Sequence, residues 1–474
     1  MNEEEATVPA RQPFADLPSA GCFGADLLGA LIVLPGILGS QIPALVALGL
    51  VAVFIVSPVS LYFDRVLSTL VVFALIGGSW LVFKLRGDGQ CPSKIAGKIR
   101  GAAFGFLAYM TLNGVWSILH GTDARAALNE LVPVYEMYAC FWLTTRLGWS
   151  EQKARQLILV ILACVAARGL LQLGYFAVGK ADLLIPPIKA AGEWSADDVS
   201  GYSFTRLIDP VSGLHVAIAF IVYWSGVGAR LRVVSLLALA TATSVLILGL
   251  MRSEWLGTAV CIALVLGWSR RRASRVLRQV VVVLGVLALS WVSLSLFFEK
   301  VSLNLGEMLS DRLISYSREQ MFNPQNSLQI LRLLEIETLR TAFVSAPLFG
   351  HGLGTLSGTV VSNGSDSQFV VFHNYYFGLI ANAGAIGIGL LIFVVWRVSR
   401  SLRSLSGLAE SPVQRACMLT AMAGLVWYGI FMGFQPILSA YHIPSLLGVY
   451  LGLAVSLADG TVPRPRRPCS PAGT

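Results

Sequence analysis

The sequence predicts an all-α polytopic membrane protein, on the evidence of its composition, its apolar runs and the placement of its charges. Of 474 residues, 55% are hydrophobic and only 13% are charged, and the mean hydropathy is +0.70. A water-soluble domain cannot bury that much apolar surface. Repeated apolar runs of roughly 17–25 residues fit membrane-spanning helices, whereas barrel strands are shorter and alternate in polarity. The N-terminus is acidic and gives no indication of a removable signal peptide.

The apolar runs predict about 12 or 13 spans. The first two runs, near 24–39 and 42–57, are short and contain Pro35 and Pro43, so they form either a hairpin of two spans or one interrupted element. That choice sets both the total and the side of the membrane on which the N-terminus lies. The remaining runs lie near 66–84, 99–119, 129–146, 156–179, 210–227, 231–250, 253–269, 279–298, 372–396, 414–434 and 438–457.

The net charge of +9 reflects membrane orientation and does not indicate a nucleic-acid partner. Basic residues gather in alternate loops, for example five arginines within residues 270–278 and a further group at 464–467. This alternation is the positive-inside pattern, and it predicts that the basic loops and the C-terminus are cytoplasmic.

The topology divides the chain into five segments. We expect a polar tail at 1–23, a transmembrane bundle at 24–298 with an outer loop near 180–209, a long periplasmic loop at 299–371, C-terminal transmembrane helices at 372–457, and a basic cytoplasmic tail at 458–474. Within the long loop, residues 305–345 mix apolar and charged side chains at helical spacing, which predicts short amphipathic helices. A Pro- and Gly-rich turn, PLFGHGLGTLSG, follows.

Arginine is expensive within a membrane span and generally has a function there. Arg168 lies near the middle of a predicted span. One interpretation is a buried arginine satisfied by Glu130 or Glu136 of the preceding span. The other is a cation that faces a ligand in the same cavity.

Two further arginines lie near the predicted outer ends of spans. Arg252 occupies a corner between two spans, where the positive-inside bias disfavours it, which favours a function over a simple pair with Glu254. Arg206 precedes a span, and by itself it is typical of a headgroup-level arginine paired with Asp209. Together such planar, permanently charged donors suit a phosphate or pyrophosphate group.

His373 opens the segment HNYYFGLIANAGAIG, between the long loop and a span. A histidine there either sits at the membrane interface without a chemical role or takes a proton from a hydroxyl near neutral pH. The sequence contains no D-x-D carboxylate pair, P-loop or H-E-x-x-H motif. We therefore expect no metal and no cofactor.

Four segments resemble the superfamily of O-antigen ligases and Wzy-type polymerases of bacterial inner membranes. They are RLIDP at 206–210, SVLILGLMRSEWLG, RLLEIETLRTAFVSAPLFGHGLG starting at Arg332, and HNYYFGLIANAGAIG. Their order around one long loop is more specific than any single motif. Together they cover about residues 200–390.

The resemblance implies a GT-C-like integral glycosyltransferase that is inverting and metal-independent. The donor would be a glycan on undecaprenyl pyrophosphate, and the site would face the periplasm of a multi-pass inner-membrane protein. His373 is the candidate base, Arg252, Arg206 and Arg168 the candidate pyrophosphate ligands, and Asn374 and Arg332 the possible supporting residues.

The acceptor distinguishes the family activities. A lipid A-core acceptor makes the protein a ligase, which we favour, and a growing repeat unit makes it a polymerase. Membrane lipids surround the protein in either case. A transporter of lipid-linked glycan is the alternative from a different class, and it would carry charges along a transmembrane path.

Overall fold

The computed structural model describes residues 94–146, 149–177, 211–249, 252–268, 281, 284–285, 288–295, 327–355, 359–363, 366–370, 374–407, 409–434 and 443–459. The spans predicted before residue 94 lie outside the described residues, and the span predicted at 279–298 is described only in part. Both the total of 12 or 13 spans and the division into five segments therefore stay predictions.

The described residues form helices and one small hairpin. In chain order the elements are α1 (Lys94–Leu119), α2 (Ala124–Arg146), α3 (Glu151–Ala177), α4 (Ser212–Ser225), α5 (Ala229–Gly249), α6 (Arg252–Trp268), α7 (Ser327–Ser345), β1 (Thr359–Asn363), β2 (Asp366–Val370), α8 (Tyr375–Ser406), α9 (Pro412–Met432) and α10 (Ile443–Asp459).

Helix lengths and composition confirm the all-α polytopic membrane class. Five helical segments in the described part are long and apolar enough to cross a membrane: Ile95–Leu119, Glu151–Gly174, Ala229–Gly249, Tyr375–Ser406 and Pro412–Met432. Shorter apolar helices cover Ser212–Ser225, Ser253–Trp268 and Leu446–Ala458. Most begin or end within a few residues of a predicted span.

Helix α8 continues well past the predicted end of its span at residue 396. The apolar run ends there, where the first of several arginines follows, but the backbone remains helical to Ser406. Arg397 and Arg400 both lie over the Trp396 ring, with their guanidinium carbons 5.7 and 5.5 Å from its centroid. These cation–π contacts keep the charged turn folded against the apolar one.

The predicted long loop contains both expected and unexpected structure. Helix α7, at Ser327–Ser345, confirms a helix that mixes apolar and charged residues in this region. The hairpin is not among the predicted elements. In it, β1 pairs antiparallel with β2 from Thr359↔Val370 to Asn363↔Asp366.

The core lies between closely packed helices. Helix α9 contributes the buried side chains Trp427, Tyr428 and Phe431, and the Trp427 and Phe431 rings stack at 4.6 Å. Helix α10 approaches α2 so closely that a Cβ on Gly448 would lie 3.1 Å from the Cβ of Cys140. Small residues at such crossings let membrane helices pack tightly by dispersion contacts.

Candidate functional site

The structure describes the predicted site residues to different extents. The side chains of Arg168 and Asn374 are described, Arg252 and Arg332 are described as backbone only, and Arg206 and His373 lie outside the described residues. Their common site is a prediction. The described helices show which helix starts come together.

The first turns of α4 and α6 are joined through Glu254, two residues after Arg252. This side chain is fully buried. Its Oε2 accepts a hydrogen bond from the backbone N–H of Gly213 at 2.9 Å and another from the Ser212 hydroxyl. The N-cap of α4, Val211, provides no side-chain cap. A carboxylate from α6 therefore accepts from the Gly213 N–H and lies at the positive dipole end of α4.

Helix α9 contacts α4, α6 and α8 and so connects α8 to the pair formed by α4 and α6. A Cβ on Gly213 of α4 would lie 3.0 Å from the indole nitrogen of Trp427, and one on Gly257 of α6 would lie 2.9 Å from the indole Cδ1. Two residues later, the carbonyl of Gly429 accepts a hydrogen bond of 2.6 Å from the Tyr376 hydroxyl.

The starts of α4, α6 and α8 therefore meet around the end of α9. We call this the four-helix junction, and its residues are Ser212, Gly213, Glu254, Gly257, Tyr376, Trp427 and Gly429. Three predicted site residues flank it in the sequence: Arg206 precedes α4, Arg252 begins α6, and His373 precedes α8.

Asn374 begins α8 as its N-cap. Its backbone is extended, and its side-chain oxygen accepts hydrogen bonds from the N–H groups of Tyr376 at 2.9 Å and Phe377 at 3.3 Å. An asparagine cap of this kind stabilises a helix start by roughly 1 kcal/mol relative to alanine. The cap defines where the backbone leaves the helix, one residue after His373.

Arg168 lies deeper than the junction. It is buried in α3, and its neighbour Gly169 packs against Thr241 of α5. Thr241 precedes the end of α5 at Gly249 by eight residues, which is about 12 Å along a helix. The described contacts therefore do not bring Arg168 to the four-helix junction.

The turn that follows α7, residues 346–355, packs between α1, α2 and α8, and we call it the glycine loop. Gly350, Gly352 and Gly354 all have positive φ, at 71°, 101° and 78°. Each approaches a different element: a Cβ on Gly350 would meet Asn382 and Ala383, one on Gly352 would meet Ser117, and one on Gly354 would meet Ala126 and Ala127. Glycine is required at these positions because it adopts a positive φ without strain and because there is no room for a Cβ.

The glycine loop docks where α8 is broken. Gly384 has φ 65° and ψ −167°, which interrupts the helix. In a continuous helix the N–H of Ala385 would donate to the carbonyl of Ala381. Here the Ala385 N–H donates to Pro347 O at 2.9 Å, and the Ala381 carbonyl accepts from the His351 N–H at 3.0 Å.

The next pair of backbone groups follows the same pattern. The Ile386 N–H donates to Leu348 O at 3.2 Å, and the Asn382 carbonyl accepts from the Gly352 N–H at 2.9 Å. The Ala383 carbonyl accepts from the Tyr109 hydroxyl of α1 at 2.5 Å. The loop thus supplies the partners that the helix break would otherwise leave unsatisfied in an apolar surrounding.

Side chains of α1 and α2 hold the glycine loop from the other side. Asn113 donates to Phe349 O at 2.9 Å, and Ser117 donates to Leu353 O at 2.7 Å. Glu130 accepts from the Gly354 N–H at 3.2 Å and from the Asn382 amide, at 3.0 Å to Oε1 and 3.2 Å to Oε2.

Residues 237–392 match the family model described as O-antigen ligase. This segment is similar to the O-antigen ligase family. The chain matches no curated protein.

The O-antigen ligase segment runs from within α5 into α8. It includes Arg252, Arg332, His373 and Asn374, together with the glycine loop and the break at Gly384. Arg168 and Arg206 precede it. The resemblance to the O-antigen ligase and Wzy-type superfamily is thereby confirmed.

Several residues that organise this family segment are not predicted by the sequence. The sequence suggests Glu130 only as a partner for Arg168, whereas the structure shows that it links the glycine loop to α8. Tyr109, Asn113 and Ser117 give no local signal, because their partners lie more than 230 residues away. The glycine spacing of PLFGHGLG is the available signal for a tightly packed loop.

Proposed function

We propose that this chain is an inverting, metal-independent glycosyltransferase that moves a glycan from undecaprenyl pyrophosphate to an acceptor hydroxyl. The O-antigen ligase segment and the membrane-spanning helices support the glycan-transferring class and a multi-pass membrane protein. The observation that carries the proposal is the four-helix junction, where the starts of α4, α6 and α8 meet. In the sequence, Arg206 precedes α4, Arg252 begins α6 and His373 precedes α8. The proposed site faces the periplasm of a bacterial inner membrane.

In this mechanism Arg252 and Arg206 hold the pyrophosphate of the donor. Arginine presents a planar, permanently charged fork that binds two phosphate oxygens at once. The buried carboxylate of Glu254 accepts hydrogen bonds from Ser212 and Gly213. These bonds fix the start of α6, the helix that Arg252 begins. Arg168 of α3, which the described contacts leave apart from the four-helix junction, is the third proposed pyrophosphate ligand, and Arg332 of α7 is a supporting cation.

His373 acts as the general base. It accepts the proton of the acceptor hydroxyl while the hydroxyl oxygen attacks the anomeric carbon from the side opposite the pyrophosphate. The bond from that carbon to the pyrophosphate oxygen breaks, its electron pair leaves with the pyrophosphate, and the configuration inverts. The Asn374 cap holds the backbone beside His373. Pyrophosphate is already a good leaving group, so arginines suffice to stabilise its charge.

The acceptor that we favour is lipid A-core, which makes the protein an O-antigen ligase, in agreement with the description of the matching family. A growing repeat unit as acceptor would make it a Wzy-type polymerase. A transporter of lipid-linked glycan, from another class, would move the same donor without breaking its anomeric bond.

Reconstitution in liposomes separates these three activities. Purified protein is given one lipid-linked glycan donor and, in separate reactions, lipid A-core or donor alone. We expect glycan on lipid A-core and release of undecaprenyl pyrophosphate. Longer glycan chains on the donor lipid would indicate the polymerase instead. Movement of intact donor between leaflets, with no pyrophosphate released, would contradict the proposal.

Two substitutions separate the roles of the cation and the base. Arg252→Lys removes the two-pronged geometry but keeps the charge, and lost charge-assisted hydrogen bonds of roughly 1.5–3 kcal/mol weaken donor binding about 10- to 150-fold. His373→Ala leaves donor binding nearly unchanged and lowers turnover on the order of 10²–10⁴-fold. The measurement is donor binding at equilibrium beside single-turnover transfer.

The matched control is Arg155→Lys. Arg155 lies on the exposed surface of α3 in an ion pair with Glu151 at 2.6 Å, and such surface pairs contribute little. This variant should bind and transfer like the unmodified protein. Loss of donor binding in His373→Ala with normal binding in Arg252→Lys would reverse the assigned roles. Normal transfer by both variants would place the site elsewhere.

A further inference from the structure

We infer that Glu130 is a positioning residue that holds the first half of α8, the helix that follows His373 in the sequence, against α2 and the glycine loop. The inference rests on the proposed function for its effect on catalysis. Its structural basis is the hydrogen bonding of Glu130 to Gly354 and Asn382.

The first half of α8, residues 375–383, needs lateral support because Gly384 separates it from the second half. The backbone across Gly384 is not helical. A regular helix would transmit the orientation of its second half to its start, whereas here the start is oriented by what packs beside it. Asn382 lies near the end of the first half, and it is the residue that Glu130 contacts.

Glu130 accepts hydrogen bonds from Gly354 and Asn382, and their geometry suits a group that accepts at both of its oxygens. The Asn382 amide contacts both Oε1 and Oε2, and the Gly354 backbone N–H contacts Oε1. An ionised carboxylate accepts at both oxygens, whereas a glutamine accepts at its oxygen and donates from its nitrogen, so a glutamine at this position requires the Asn382 amide to present its oxygen. Asn382 is buried, so its amide depends on this partner.

A small displacement of the first half of α8 would move the proposed base. Asn374 caps the start of that half, and His373 precedes Asn374 in the sequence. A shift of about 1 Å in a reacting group can cost on the order of 10²-fold in rate. We therefore expect changes at the Glu130–Asn382 contact to lower turnover more than donor binding.

Three variants test this inference. Asn382→Asp sets two carboxylates against each other and should lower turnover on the order of 10²-fold, with donor binding changed little. Glu130→Gln should be mild, because the Asn382 amide can turn so that its oxygen accepts from the new amide. The double variant Glu130→Gln/Asn382→Asp exchanges the roles of donor and acceptor and should recover turnover to within a few-fold of the unmodified protein.

The opposite pattern would overturn the inference. If Glu130→Gln alone is as damaging as Asn382→Asp and the double variant does not recover, the carboxylate itself contacts the substrate or takes a proton. If Asn382→Asp leaves turnover unchanged, the contact does not position the base.

Hydrogen exchange gives a second readout that does not depend on activity. Asn382→Asp should raise amide exchange within residues 375–383, and the double variant should restore it, while α10 stays protected in both. Faster exchange in α10 as well would show general loosening and contradict a local role. If the unmodified protein transfers no glycan, the proposed function fails, and the exchange pattern still decides whether Glu130 positions α8.

Discussion

Gly384→Ala tests whether the break in α8 and the glycine loop depend on each other. A Cβ at this position would lie within 2.6 Å of three backbone atoms, the carbonyl carbon and oxygen of Leu348 and the nitrogen of Gly350. Gly384 also has φ 65°. Alanine must therefore keep a backbone conformation that favours glycine and must also displace the loop.

The expected loss of stability follows from these two costs. The conformation of Gly384, with φ 65° and ψ −167°, is populated almost only by glycine and costs another residue roughly 1–3 kcal/mol. Displacing the loop removes the bonds from Ala385 to Pro347 and from Ile386 to Leu348, at about 0.5–1.5 kcal/mol each. The free energy of unfolding should fall by about 2–6 kcal/mol, the sum of both costs.

The measurement is unfolding in detergent micelles, with Gly389→Ala as the matched control. Gly389 lies in the same helix with nothing within 4 Å of its ideal Cβ position. Alanine there should stabilise by about 0.5–1 kcal/mol, because glycine is unfavourable within a helix. Equal stability of the two variants would refute the proposed interdependence of the loop and the break.

Two further predictions concern the metal and the topology. Glycan transfer should survive EDTA, because the sequence shows no carboxylate pair with metal-ligand spacing, and loss of turnover restored by Mg²⁺ or Mn²⁺ would contradict the mechanism. A cysteine in place of Ser357 should react with an impermeant thiol reagent from the outer face, because the basic loop at 270–278 is predicted to be cytoplasmic. Labelling only after permeabilisation would reverse the topology.

The membrane-spanning helices could be predicted because their signal is local. A span needs a continuous apolar stretch of fixed length, and the predicted 414–434 lies close to the observed Pro412–Met432. Where the apolar stretch and the helix differ in extent, as in α8, hydropathy finds the membrane-crossing part alone. The helix itself continues as long as its backbone bonds and side chains support it.

The hairpin has a local signal that the prediction of a long loop does not use. Thr359–Asn363 and Asp366–Val370 are separated by Gly364 and Ser365, and a glycine-serine pair between two such runs is typical of a tight hairpin turn. The polar composition of this region favours the prediction of a loop over that of a hairpin.

The arrangement around Gly384 could not be predicted, because it depends on contacts between distant parts of the chain. Tyr109 and Ala383 are 274 residues apart, and Glu130 and Asn382 are 252 apart. No spacing in the sequence links such pairs. The motifs indicate that the segments belong together, but only the structure shows which backbone groups each side chain satisfies.

The glycine loop bears on how the proposed donor is held. A glycine-rich loop often binds phosphate through its free backbone N–H groups. In this protein the N–H groups of His351 and Gly352 donate to the interrupted helix, and that of Gly354 donates to Glu130. These three donors are committed within the fold, so they do not form a phosphate cradle. The proposed pyrophosphate site therefore depends on side-chain cations, which is why the geometry of Arg252 matters more to donor binding than that of the glycine motif.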